Sequence, residues 1–218
     1  MPFTSVLGAS SVIKPGVCTS STRPTAPYVG QLVFETDTNR LVVFTASGWV
    51  YQTATGAPGL VLVSATTIGS AVSSVTVSNA FSSTYDNYLI ILGGGVASAV
   101  TGLVIRLGST TTGYYAGYVK IDPSGTVTGE GDNNNAAWSA VGGGNTSVLN
   151  AEIFVGSPNL AKNTVMYSRM VVPRTSAQVA YLGGGWLNDT TQYTAFTILP
   201  VGTTLTGGTI RVYGYANS

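Results

Sequence analysis

Histidine is absent from this chain of 218 residues, cysteine occurs once, and only 8% of residues are charged. Each shortage excludes something. Without His, the commonest general base is missing, and with it the Ser-His and Cys-His nucleophile arrangements. The lone Cys18 permits neither an intrachain disulfide nor a cysteine metal site, and its place in the N-terminal arm supports a structural or incidental role. The formal net charge is +1, and the nine Lys and Arg are scattered from Lys14 to Arg211. A nucleic-acid binder would concentrate them in a stripe. No window approaches the roughly 18 uninterrupted apolar residues of a membrane span. The N-terminus also lacks the basic start and apolar run of a secretory signal. The expectation is a soluble protein made and assembled in a cytoplasm, with neither nucleic acid nor membrane as partner.

What fills the space left by charge is glycine, 28 residues of it, with abundant Ser, Thr and Asn. That balance suits β surfaces with dense turns and disfavours long solvent-facing helices. It also leaves little repulsion to oppose contact between copies of the chain.

Residues 1–22 are rich in Ser, Thr, Gly and Pro and show no sustained period, so the segment is expected to be an extended arm. Its apolar points, Val6, Leu7, Val12 and Ile13, are the candidate attachment residues. Residues 23–52 read as strand, turn, strand, turn, strand. Pro24 and Pro27 set the entry, Thr36 to Arg40 supply turn chemistry, and a second turn falls at Ala46-Ser47-Gly48. The expected form is an antiparallel β-meander with one aromatic face built from Phe34, Phe44, Trp49 and Tyr51. Residues 53–59, TATGAPG, form a small-residue linker.

From residue 60 to 218, nine or ten short strands follow one another with no 3.6-residue period, the signature of a β-sandwich or barrel. The strand count and long connections favour a jelly-roll-like sandwich of two four-stranded sheets. The fold class is therefore all-β, a small meander followed by a sandwich. Asp122 to Asn145 reads as a long polar, glycine-rich excursion rather than as strand.

Eight carboxylates remain as raw material for catalysis, and Asp122, Glu130 and Asp132 are their only cluster. A glycosidase needs two such groups facing across a cleft, but acidic residues in Gly-rich stretches more commonly form solvated turns. Gly131 to Asn135, GDNNN, offers oxygen ligands without the spacing of a calcium loop. No catalytic residue, cofactor or metal is expected. The triplets at Gly93, Gly142 and Gly183 lack phosphate-loop spacing. They allow either close backbone approach at a subunit axis or flexible strand ends. Tyr114, Tyr115, Tyr118, Trp138 and Trp186 flank the polar stretches, and two readings stay open for them. They either stack on a host glycan or protein, as rings beside adaptable polar loops can, or pack in the core or between subunits.

The run R-P-T-A-P-Y-V-G-Q-L-V-F-E-T-D-T-N-R-L-V-V-F, continuing to Trp49-Val50, resembles a segment common in structural proteins of tailed bacteriophages. It occurs there near the start of tail-fibre, minor-tail and other virion surface chains. Phe81 to Tyr88, the Ile105-Arg106-Leu107-Gly108 run and the closing G-T-I-R-V-Y-G-Y look like a C-terminal β domain of phage virion proteins. The resemblance implies a virion structural protein assembled in the bacterial cytoplasm, commonly trimeric, whose partners are itself, other tail or capsid proteins, and a host surface polysaccharide or protein. A tail fibre or spike, a capsid decoration or cement protein, and a lectin-like module are the roles it leaves open.

Overall fold

The computed structural model describes residues 15–52, 59–173 and 178–217. Val6, Leu7, Val12 and Ile13 lie outside that set, as does nearly all of the linker. Every regular element among the described residues is a strand, and no helix is long and apolar enough to cross a membrane. The chain divides into two units, Met1–Ala57 and Pro58–Ser218.

The first unit is a four-stranded sheet in the order β1 (Gly16–Cys18), β2 (Leu32–Glu35), β3 (Arg40–Thr45), β4 (Gly48–Tyr51). Strands β2 to β4 form the expected antiparallel meander, while β1 joins β2 in parallel. The end of the arm is thus part of the sheet, and the sheet is mixed. The polar motif explains itself once placed. Glu35 is fully buried and accepts from Arg23 Nε and, at 2.8 Å, from Thr38 Oγ1. Asp37 accepts from the Ser20 amide at 2.9 Å, tying the arm to the first turn. Asn39 takes the left-handed conformation, φ 53°, that closes this turn, and Gly48, φ 115°, closes the next. Arg40 lies 5.0 Å from the centroid of the Tyr51 ring. The aromatic face is smaller than expected. Phe44 meets Trp49 edge-on at 5.2 Å, with Tyr51 on the same side. Phe34 pairs with Leu41 and points to the other side, because strand alternation separates it from Phe44.

The second unit is a β-sandwich. In chain order its strands are β5 (Leu60–Thr67), β6 (Val75–Val77), β7 (Asn87–Gly93), β8 (Val96–Ala97), β9 (Thr101–Leu107), β10 (Tyr114–Ile121), β11 (Val127–Asn135), β12 (Trp138–Gly144), β13 (Leu149–Gly156), β14 (Thr164–Pro173), β15 (Gln178–Leu187), β16 (Phe196–Pro200), β17 (Leu205–Thr206) and β18 (Thr209–Tyr215). All pairings within it are antiparallel. One layer runs β5-β18-β7-β13-β14-β15-β10-β11. The second begins where β13 divides its free edge. Glu152–Gly156 pair with β14, whereas Leu149–Ala151 pair with β12, which leads on to β9, β16 and β6. Strand β12 passes over β14, where the Ser168 hydroxyl donates to the Ala140 carbonyl at 2.9 Å.

The layers therefore hold eight and four strands, with β13 shared, instead of four and four. The difference lies largely in Asp122 to Asn145, which folds as β11, β12 and their turns. Strand β11, VTGEGDNNN, carries no apolar alternation because it is an edge strand exposed along most of its length. Backbone pairing to β10 holds it. Elsewhere the period of two is plain: β14 alternates buried and exposed from Thr164 to Val171. The inward set includes Trp138, Tyr88, Tyr114, Phe81 and Phe196.

Glycines of the second and third triplets border this interior. A Cβ at Gly183 would lie 2.1 Å from the Tyr118 ring, at Gly185 2.4 Å from the Tyr115 carbonyl, and at Gly143 2.9 Å from Val172. They give room to the chain's own side chains and backbone, which neither of the two sequence readings supplied. The first triplet makes a turn after β7, with Gly94 at φ 79°.

Candidate functional site

Alternation that buries one face of the eight-stranded layer presents the other. Across β10, β15, β14 and β13 the outward residues fall in rows by register: Tyr115, Trp186 and Val165; Gly117, Gly184, Tyr167 and Phe154; Val119, Leu182, Arg169 and Glu152. The face continues through Leu89 and Ile91 of β7 to Tyr213 and Arg211 of β18. Tyr167 is 59% exposed, Leu182 50% and Val119 44%. The rings form two groups. Tyr115 lies against Trp186 at 5.9 Å, and Phe154 touches Tyr167 at 5.7 Å and Tyr215 at 5.9 Å. Charge is scarce on the face. Glu152 and Arg169 make an ion pair near its middle, and Arg211 stands beside Ile91. Shallow clefts of ≈ 500 Å³, bounded by Ile91, Val171 and Leu182, and ≈ 230 Å³, bounded by Phe154, Tyr167 and Tyr215, indent it.

The five candidate aromatics divide between the two sides of this sheet. Tyr114 and Trp138 are fully buried and Tyr118 is 4% exposed. Tyr114 and Trp138 meet edge to face at 5.0 Å, and the Tyr114 hydroxyl accepts from the Leu107 amide at 2.8 Å. The Trp138 Nε1 donates to the Tyr115 carbonyl at 3.3 Å. Burial pushes the Tyr114 hydroxyl pKa above its ordinary value. These three rings are core, which corrects the reading that placed them at a ligand. Tyr115 and Trp186 remain, on the outer face. Alternation was the available signal: Tyr114 and Tyr118 share a face and Tyr115 takes the other. The residues that reading missed are Val119, Tyr167, Val171 and Leu182. Their signal was apolar content on both faces of β10 and β14, more than a half-solvated strand carries.

Polar chemistry gathers elsewhere. Asp132 is 6% exposed, and its carboxylate accepts from the Tyr118 hydroxyl at 2.6 Å, Asn135 Nδ2 at 2.6 Å, the Ser139 amide at 2.8 Å and the Ser139 hydroxyl at 2.7 Å. Burial, and then the Asp132 carboxylate, drive the Tyr118 hydroxyl pKa far upward. Glu130 instead reaches Lys120 at 3.5 Å, and the Asp122 carbonyl accepts from Gly125 in a turn. Among the described residues no group of three or more His, Cys, Asp or Glu is arranged to hold a metal ion.

Asp189 accepts from the Tyr193 hydroxyl at 2.6 Å and from the Thr191 amide and hydroxyl, bonds that hold its pKa below the ordinary carboxylate range. A lowered folded-state value means that stability is present above the unfolded pKa and lost as pH falls through the folded one. Taking the wild type from about pH 5 to about pH 2.5 is expected to lower its Tm more than that of Asp189→Asn. Calorimetry across that range checks it, and parallel curves would refute it.

No family model matches the chain, and no curated protein matches it. Among solved structures, chains of infectious bursal disease virus, strains Gt and Gx, align over 82% of this chain at 10% and 11% identity, each with a TM-score of 0.12. The chain spans 45% and 51% of their lengths, about half. Likeness at that level carries no argument about fold or role.

Proposed function

We propose that this chain is a non-enzymatic structural component of a tailed-bacteriophage virion, a homotrimeric tail-fibre or spike-type appendage. Its N-terminal part attaches to the particle and its sandwich is turned to the host. The observation that carries this reading is the segment Arg23 to Gln52. The polar positions by which it resembles phage virion chains are those that hold its sheet together: Arg23 on Glu35, Asp37 on Ser20, Asn39 in the turn, and Arg40 over Tyr51. A resemblance confined to surface residues would mean less than one that keeps the working parts of a small fold. The sandwich adds a charge-poor, aromatic outer face, the composition of an assembly surface. Particle and protein would meet in the bacterial cytoplasm, where virions assemble.

Immunogold labelling of intact virions with an antibody to the sandwich tests the proposal. Label confined to the tail or its tip is the expected result. Label spread over the capsid lattice would reassign the chain to the decoration or cement class, and unlabelled virions would overturn the reading altogether.

A further inference from the structure

The geometry points to the outer face of the eight-stranded layer as the surface through which copies of this chain join. Eight strands at about 4.8 Å spacing span about 34 Å, and four rows of outward residues, the last being Ile121, Ala180 and Val171, cover about 20 Å along the strands, with Leu62 of β5 and Gly131, Gly129 and Val127 of β11 at the two ends. The resulting area of about 700 Å² per copy approaches the ~800 Å² per partner typical of stable interfaces. Its content fits as well. Around the central Glu152–Arg169 pair the face is aromatic and aliphatic, with Tyr167, Phe154, Leu182 and Val119, and its cations are Arg rather than Lys, the one enriched in interfaces.

Charge selects the occupant. Glu152 and Arg169 pair with each other, leaving Arg211 as the one further charge in those rows, so the face neither attracts polyanions nor repels its own copy. A nucleic acid or an acidic membrane would need clustered cations. A second copy needs only apolar complement and a self-compensating ion pair. Trp186 and Tyr115 are tilted 34° to each other at one end of the face, where a ring from a neighbouring copy can lie against them.

This inference deepens the self-association in the proposed function, but its test reads mass in solution and not position on a particle, so either can fail without the other. Purified full-length protein is measured by light scattering at micromolar concentration, beside Leu182→Lys and Val119→Lys. The expected result is an oligomer for the wild type and a single-chain mass for both variants, with circular dichroism unchanged. A monomeric wild type, or variants that keep the wild-type mass, would overturn the inference. Should the lysine variants fail to fold, maleimide labelling decides in a Cys18→Ser background. There Leu182→Cys is expected to react about tenfold more slowly than Ser124→Cys in the exposed β10–β11 turn, and equal rates would overturn the proposal. A monomer that instead binds a host glycan through Trp186 would assign the face to sugar and likewise overturn it.

Discussion

Asp132→Ala is expected to destabilise the sandwich by about 3–5 kcal/mol, the summed cost of the donors it would leave without an acceptor. The carboxylate is 6% exposed and receives four hydrogen bonds, from Tyr118 of β10, Asn135 of its own strand, and the amide and hydroxyl of Ser139 in β12. Those donors span both layers. Strand β11 lies at the end of the eight-stranded layer with β10 as its pairing neighbour, and Asp132 is what joins it to β12 of the other layer. Alanine would strand a buried tyrosine hydroxyl and a part-buried backbone amide without acceptors, and each such orphan costs about 1–3 kcal/mol. Asp132→Asn keeps the shape but directs an NH₂ group at existing donors, so about half the loss is expected. Urea unfolding followed by near-ultraviolet circular dichroism measures both. A double-mutant cycle identifies the mechanism: Tyr118→Phe should cost about 1 kcal/mol alone and close to nothing beside Asp132→Ala. Equal costs in both backgrounds would show that the two groups act independently, and the network account would fail.

Asp132 also shows where sequence reasoning ran out. In the sequence it sits in GDNNN, which reads as an exposed turn; in the fold it is a buried anchor, because its donors come from residues seven and fourteen positions away on two other strands. No local pattern encodes that. Strand β11 was illegible for a related reason: an exposed edge strand has no apolar face, and its pairing to β10 is made by backbone. Strand β1 is three residues long and parallel to β2, a pairing that depends on where the arm is led and not on its composition. By contrast β9, β13 and β14 alternate so cleanly that the sandwich could be read from them directly. The turn at Thr36 to Arg40 was legible too, since Asn tolerates the φ of 53° found at position 39. The candidate aromatics were found but not sorted, although alternation alone would have sent Tyr114 and Tyr118 inward together. The apolar outer face is not legible in the sequence because its residues are dispersed over eight strands, and only register assembles them into rows.

Gly185→Ala is expected to be as damaging as loss of Asp132, by about 3 kcal/mol or more, through overpacking. A Cβ there would stand 2.4 Å from the Tyr115 carbonyl oxygen, 2.6 Å from the Ala116 Cβ and 3.0 Å from Trp138 Nε1. The nearest of these is backbone in the paired strand β10, so no rotamer change relieves the clash. The Trp138 ring is fully buried and bonded to that same carbonyl, which leaves it nowhere to move. Gly117→Ala in the neighbouring strand is the matched control. It is the same substitution in the same layer, but on the outer face, where a Cβ meets nothing within 4 Å. Because glycine weakens a strand interior, Gly117→Ala should be neutral or stabilising by about 0.5 kcal/mol. Soluble yield and urea midpoints of the two proteins separate the causes. If both lose stability equally, the glycines are required for backbone conformation rather than for space, and the packing role assigned to the triplet is wrong. If only Gly185→Ala collapses, the glycine content of β15 is explained by the rings on its inner side: Trp138 needs the room at position 185, and Tyr118 needs it at position 183.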